Sequence, residues 1–137
     1  MLETISLSDR KNISVEDILP IYELNQWSSA QKPEALHNAL LNSHSLISAW
    51  DNDKLIGIGN AISDGFLVVY YPHLLVHPDY QGQGVGRKIV EALKARYAEM
   101  HMHILVADSD AIAFYQKCGF TRAGRTQSMW IYAGDDH

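Results

Sequence analysis

A chain of 137 residues with a formal charge of -5, 47% hydrophobic and 20% charged, has the size of one domain (residues 1–137) and too much apolar content for disorder. Its acidic balance speaks against general nucleic-acid binding, its longest apolar run (residues 66–71, FLVVYY) is too short to span a bilayer, and its first ten residues lack the basic start and apolar stretch of a secretory leader. Cys118 stands alone, which excludes an internal disulfide and a cysteine-based metal cluster and leaves a cytoplasmic protein, without nucleic acid or membrane as partner, as the expectation.

Residues 2–7, LETISL, alternate apolar and polar and predict a short strand. Ser14 caps a predicted helix with Val15, Ile18, Leu19, Tyr22 and Trp27 on its apolar side, and Pro20 predicts a kink or early break within it. Pro33 suits the first position of a second helix bearing Leu36, Ala39 and Leu40. Residues 44–51 and 54–63 read as a hairpin turned at Asp51, Asn52 and Asp53. After a turn at Ser63, Asp64 and Gly65, residues 66–76 form a long strand. Pro72 gives no N–H to a ladder, so the strand is expected to bulge or splay there.

Three glycines then precede a helix whose apolar side carries Val85, Ile89, Leu93 and Met100. Residues 103–107, HILVA, read as a buried strand, and Asp108 or Ser109 caps a short helix that stops at Gly119. Residues 120–125 and 128–132 read as closing antiparallel strands. Hairpin-linked strands followed by strand–helix–strand units predict an α/β chain with a mixed sheet and helices on both faces.

Gly82, Gly84 and Gly86 fall between a strand end and a helix start, where main-chain N–H groups lack partners and the helix dipole adds positive character. With Arg87 and Lys88 in the same turn, this is a site for a phosphate or pyrophosphate. A plain glycine turn that ends a strand is the alternative. The spacing G-x-G-x-G fits neither the Walker loop nor the dinucleotide fingerprint.

Residues 81–86, QGQGVG, resemble the acyl-CoA signature Q/R-x-x-G-x-G/A of the GNAT acetyltransferases, and VHP at 76–78 precedes it as is common there. Residues 111–120, AIAFYQKCGF, resemble the second signature of that superfamily, and the element order matches over nearly the whole chain. The resemblance implies the GNAT fold, a central mixed sheet that splays between residues 66–76 and 103–107. It implies an N-acetyltransferase that moves an acetyl group from acetyl-CoA to a primary amine, of a small molecule first of all, by direct attack in a ternary complex. A protein Lys or N-terminal acceptor, or acyl-CoA binding without turnover, are the alternatives. A homodimer stays open.

By the same resemblance the pyrophosphate lies on the amides of Gln83, Gly84, Val85, Gly86 and Arg87, with Gln81 and Gly82 shaping the loop. Main-chain groups at Leu74, Leu75 and Val76 hold the pantetheine arm, and one N–H there polarises the thioester oxygen. Ala111 and Phe114 complete that side. Asp108 stands where the superfamily often carries an Asn. Tyr115 is the expected general acid, since a phenol near ~10 and a thiol near ~8.5 are close enough for useful proton donation. His73 is the candidate base, with a half-buried histidine beside the proline bulge as the alternative. Tyr22, Trp27 and Tyr71 are the expected acceptor walls, with plain core packing as the alternative. Asp64 either binds a cationic amine or serves its turn. The seven histidines show no metal-ligand pattern, and no metal is expected.

Overall fold

The computed structural model describes residues 4–134. Strand β1 is Ile5–Ser8; residues 2 and 3 of the expected strand lie outside the described residues. Helix α1, Val15–Leu24, starts as its cap predicts, with the Asp17 amide donating to the Ser14 hydroxyl at 3.3 Å. The helix runs through Pro20 without breaking. The proline withholds one N–H, and the carbonyl it would have served belongs to Glu16, an exposed residue that water reaches. Gln26 takes a φ of 61°, so Trp27 leaves the helical face and precedes a 3-10 turn at Ser28–Gln31. Helix α2 is Pro33–Leu41, with proline in its first turn as expected.

Strands β2, Ser45–Asp51, and β3, Lys54–Ser63, form the expected hairpin. The long strand is divided into β4, Val68–Tyr70, and β5, Leu74–Val76, with Pro72 in the gap. Helix α3, Val85–Arg96, follows the glycines. It ends before Met100, which packs against the core from the turn beyond. Strand β6 is Met102–Ile104 and helix α4 is Ile112–Lys117. The sheet order is β1-β2-β3-β4-β6, with β5 also paired to β3; β4 and β6 run parallel and the other pairs antiparallel.

The sheet buries both faces. Ile18, Ile21, Tyr22, Leu36 and Leu40 of α1 and α2 pack on Leu46, Ile58 and Leu75. On the other side Val85, Ile89 and Leu93 of α3 pack on Ile47, Ala49, Ile56, Ala61 and Val69. Helix α3 lies unusually close to β3. A Cβ on Gly57 or Gly59 would stand 2.9 or 2.8 Å from Ile89.

Two expectations fail at the C-terminal side. Among the described residues, 120–125 and 128–132 form no strand. The Gly124 amide donates to the Arg122 carbonyl and the Thr126 amide to the Ala123 carbonyl, so local turns take groups that a hairpin would need. The expected buried strand at 103–107 is accordingly short and half-exposed, because nothing among the described residues pairs with its outer edge.

Candidate active site

The break at Pro72 generates the site. Gly59 faces Leu74 and Ile62 faces Tyr70, so the β3 register shifts by one residue across Tyr71, Pro72 and His73. Upstream, the last rung to β6 is Tyr71 N–H donating to the Ile104 carbonyl at 3.1 Å. Downstream, β5 follows β3 and leaves β6 behind. The rungs from Asn60 to His73 and from His77 to Ile56 set which β5 residues point toward β3. By antiparallel alternation Leu75 pairs with Ile58, whereas Leu74 and Val76 present their N–H and C=O groups to the gap. The Val76 carbonyl is taken by the side-chain amides of Asn25 and Gln81, at 3.2 and 2.9 Å. Leu74 N–H, Leu74 C=O and Val76 N–H remain for a ligand that would complete the sheet.

Gly82 and Gly84 adopt φ of 78° and 87°, the left-handed region where a side chain is strained. A Cβ on either would meet nothing within 4 Å, so both border open space. Gly84 caps α3 without a side chain, and the first α3 bond runs from Lys88 N–H to the Gly84 carbonyl at 3.1 Å. The amides of Val85, Gly86 and Arg87 therefore lack helical partners and face outward with the positive end of the dipole. No carboxylate occupies that first turn. The cradle suits a diphosphate, and the unpaired β5 groups suit an amide-bearing arm; together they fit coenzyme A.

Two clefts meet here. One of about 510 Å³ runs past Leu74, Leu75, Val76, Gln81, Gly82, Gly84, Val85, Gly86, Arg87, Ala111 and Phe114. The other, of about 1110 Å³, is bounded by Trp27, Tyr71, His73, Asp108, Asp110, Trp130 and Tyr132, among others. Asn25, Leu74, Gln81, Ala111 and Tyr115 border both. Gln83 borders neither; its side-chain amide donates to the Asp79 carbonyl at 3.4 Å. Phe114 touches the start of α3, 3.4 Å from where a Gly86 Cβ would stand. Asp108 takes the expected N-cap position, where its carbonyl receives the Ala111 N–H at 2.8 Å, but its side chain makes no capping bond.

Burial pushes the Tyr115 phenol up to about 12, so it is protonated throughout the working range of pH. Its ring packs edge-on against Phe114 and Phe120, and its hydroxyl has no hydrogen-bond partner among the described residues.

His73 is held differently from what a base requires. Burial raises the Tyr22 phenol, which keeps its proton and shares a hydrogen bond of 2.7 Å with His73 Nδ1. Burial also drives His73 down to about 4. At neutral pH the ring is uncharged, and a group that takes up a proton only near 4 is a weak acceptor for an ammonium's proton. Tyr22 itself is 0% exposed, so it stands behind the cleft wall rather than on it, a correction to its expected place. Trp27 forms the wall, packed edge-on against His73 at 5.0 Å. Tyr71 also lines the cleft, and its hydroxyl bonds His103 at 2.7 Å.

Asp64 borders neither cleft, and its Oδ1 accepts three amides, from Phe66, Leu67 and Val68. These bonds hold the carboxyl below its ordinary range. Asp64 thus serves its turn, away from both clefts.

Three groups escape a reading of the sequence. Asn25 reaches Val76 and Gln81 from the end of α1, and Trp130 and Tyr132 reach the cleft from the C-terminal segment, where Tyr132 meets the Ser28 hydroxyl at 3.2 Å. No periodicity marks a carboxamide that folds back across a sheet. Trp130 and Tyr132 did carry a signal, an aromatic pair two residues apart, but alternation assigns it to a strand. Among the described residues no group of three or more His, Cys, Asp or Glu gathers to hold a metal ion, and no helix is long and apolar enough to cross a membrane.

A family model described as an acetyltransferase (GNAT) domain matches residues 9–130. An uncharacterized N-acetyltransferase, ycf52, of the alga Pyropia yezoensis is 32% identical over 125 residues, covering 86% of this chain and 71% of the relative. A GNAT family acetyltransferase structure from Streptococcus pneumoniae superposes with a TM-score of 0.82 at 27% identity, over 94% of this chain and 98% of that one. The fold extends to an aminoglycoside N-acetyltransferase, AAC(6')-Iy, solved in complex with CoA, with a TM-score of 0.69 at 14% identity and 93% of each chain covered.

Proposed function

This chain belongs to the GNAT acetyltransferases and is an acetyltransferase enzyme; from that premise we propose that it moves the acetyl group of acetyl-CoA to a small primary amine, by direct attack in a ternary complex. The observation that carries the reading is the position of Tyr115. It borders both the cleft lined by the glycine loop and the wider cleft lined by aromatic side chains. A thioester lying along β5 and an amine in the wide cleft would meet beside its phenol.

The roles follow from the geometry. Amides of residues 83–87 hold the pyrophosphate, and Arg87 adds formal charge. Leu74 and Val76 pair with the arm, and Leu74 N–H is the group aimed at the thioester oxygen. A donor already fixed in place reorganises little as negative charge develops there. The amine lone pair forms the new bond to the acetyl carbon, the carbon–sulfur bond breaks, and Tyr115 donates its proton toward the departing sulfur. With its phenol near 12, Tyr115 acts more as a hydrogen-bond donor than as a strong acid. His73, held near 4 by burial, is a weak base, so the amine's proton passes to cleft water rather than to that ring. Trp27, Tyr71, Trp130 and Tyr132 favour an amine with an apolar or aromatic body.

Calorimetry with CoA, ATP and NAD, followed by thiol release from acetyl-CoA over a panel of amines, a lysine peptide and a free peptide N-terminus, tests this. CoA binding with turnover on small amines is expected. Tight NAD binding without CoA binding would end the reading, and turnover on the peptides alone would replace the acceptor class.

A further inference from the structure

Where β5 parts from β6, one buried carboxamide holds the main chain at His73. In a regular antiparallel pair Asn60 and His73 would exchange two main-chain bonds. Only one exists, from Asn60 N–H to the His73 carbonyl at 3.2 Å. The other is replaced: His73 N–H donates to the side-chain Oδ1 of Asn60 at 3.0 Å. The peptide joining Pro72 to His73 is thereby turned off the ladder, at the point where β5 parts from β6. Asn60 is 3% exposed, so its amide must itself be satisfied. Its Nδ2 donates to Ser43 Oγ at 2.9 Å, and Ser43 donates to the Ala39 carbonyl of α2 at 2.9 Å. A chain of three hydrogen bonds thus ties the bulge to the end of α2.

We propose that Asn60 is a positioning residue for acetyl transfer: its carboxamide locks the His73 peptide and so sets the direction in which the Leu74 amide faces the thioester. The inference rests on the proposed reaction, because it assigns Asn60 an effect through the Leu74 donor. Asn60 touches neither substrate. An apolar residue of similar size would preserve packing and remove the lock, leaving His73 N–H buried without an acceptor. The strand could then satisfy it only by moving, and a displacement of about 1 Å at a reacting centre costs roughly 10²-fold in rate.

The test compares Asn60→Leu, Asn60→Thr and Asn60→Asp with the parent protein. Thr fits a strand, but its hydroxyl stops one atom short of the carboxamide oxygen. Asp keeps the acceptor while placing a charge in the core. Three readouts apply: CoA affinity by calorimetry, turnover at saturating acetyl-CoA and amine, and hydrogen exchange of the His73 amide. In Leu and Thr, turnover is expected to fall roughly tenfold to a hundredfold with CoA affinity little changed, and the His73 amide to exchange faster. Asp is expected to retain more turnover than Leu while melting at a lower temperature, an inversion that a purely structural role would not produce. Turnover in folded Leu or Thr equal to the parent, turnover that merely tracks melting temperature across the three, or a His73 amide whose exchange is unchanged would each overturn the proposal. A parent protein that binds no CoA would instead defeat the reaction itself, and the His73 exchange measurement would still decide whether Asn60 holds that peptide.

Discussion

Tyr115 and His73 show how burial redirects groups that look interchangeable in a sequence. Both lie at the cleft and both are shifted by loss of water, in opposite electrical senses. Tyr115→Phe removes the donor and little volume. Turnover should fall by roughly 10²-fold or more while calorimetric CoA affinity holds; an unchanged turnover number would remove Tyr115 from its role. For His73 the sign matters. Its folded value near 4 lies below the ordinary value of 6.5, so the unfolded chain binds the extra proton between those limits. Stability is complete above pH ~6.5 and declines as pH falls toward 4, by about 3 kcal/mol from this group. Denaturant titrations across that window should show the decline, and His73→Gln should flatten it. The pH–rate profile between pH 6 and 9 should keep its shape in the same variant. A limb that vanishes with His73 would restore it as the base.

Among the elements, β5 carries the clearest signature. Its ladder leaves Leu74 and Val76 facing the gap while Leu75 pairs with Ile58. Hydrogen exchange should therefore slow at the Leu74 and Val76 amides when CoA is added and change little at Leu75. Equal protection of all three before addition would mean that the gap is already closed. Helix α3 makes a second case. Ile89 lies where a Gly59 Cβ would stand at 2.8 Å, with Leu93 at 3.2 Å. Gly59→Ala must push the helix off the sheet and should lower stability by about 1–3 kcal/mol. Because α3 also presents the cradle amides, CoA affinity should weaken with it. Calorimetry of the two variants, Gly59→Ala and Tyr115→Phe, separates a cradle that has moved from a donor that is missing.

Across the fold, α1 and α2 brace one side of the sheet and α3 the other, and the strands between them part where Pro72 interrupts the ladder. A ligand lodged in that gap would join β5 to β6 and tie α4 to the glycine loop. Binding of this kind stabilises the folded state by mass action, about 2.7 kcal/mol at a hundredfold excess over Kd. Thermal melts with rising CoA should shift upward accordingly, and ATP at equal concentration should not match them. The wide cleft is assembled from remote parts of the chain: Trp27 before α2, Tyr71 beyond β4, and Trp130 and Tyr132 after α4.

Local chemistry was readable from the residues alone. Gly82 and Gly84 tolerate positive φ wherever they sit, Pro72 withholds an N–H in any ladder, Ser14 caps the helix that follows it, and Tyr115 lies in a run whose spacing is the signature itself. These properties depend on near neighbours in the chain, so one dimension suffices. Folding settled the rest. Tyr22 reads as an apolar-face residue either way, and only the fold brings its hydroxyl to His73, 51 positions distant, behind the cleft wall. Asn60 and Asn25 are polar residues without a pattern, and their roles exist only because strands and helices bring distant main-chain groups within their reach. The tail at 128–132 has a strand's alternation but stays exposed, with Trp130 and Tyr132 bordering the cleft. Hydrogen-bond partners and loss of water belong to three-dimensional neighbours, which periodicity cannot name.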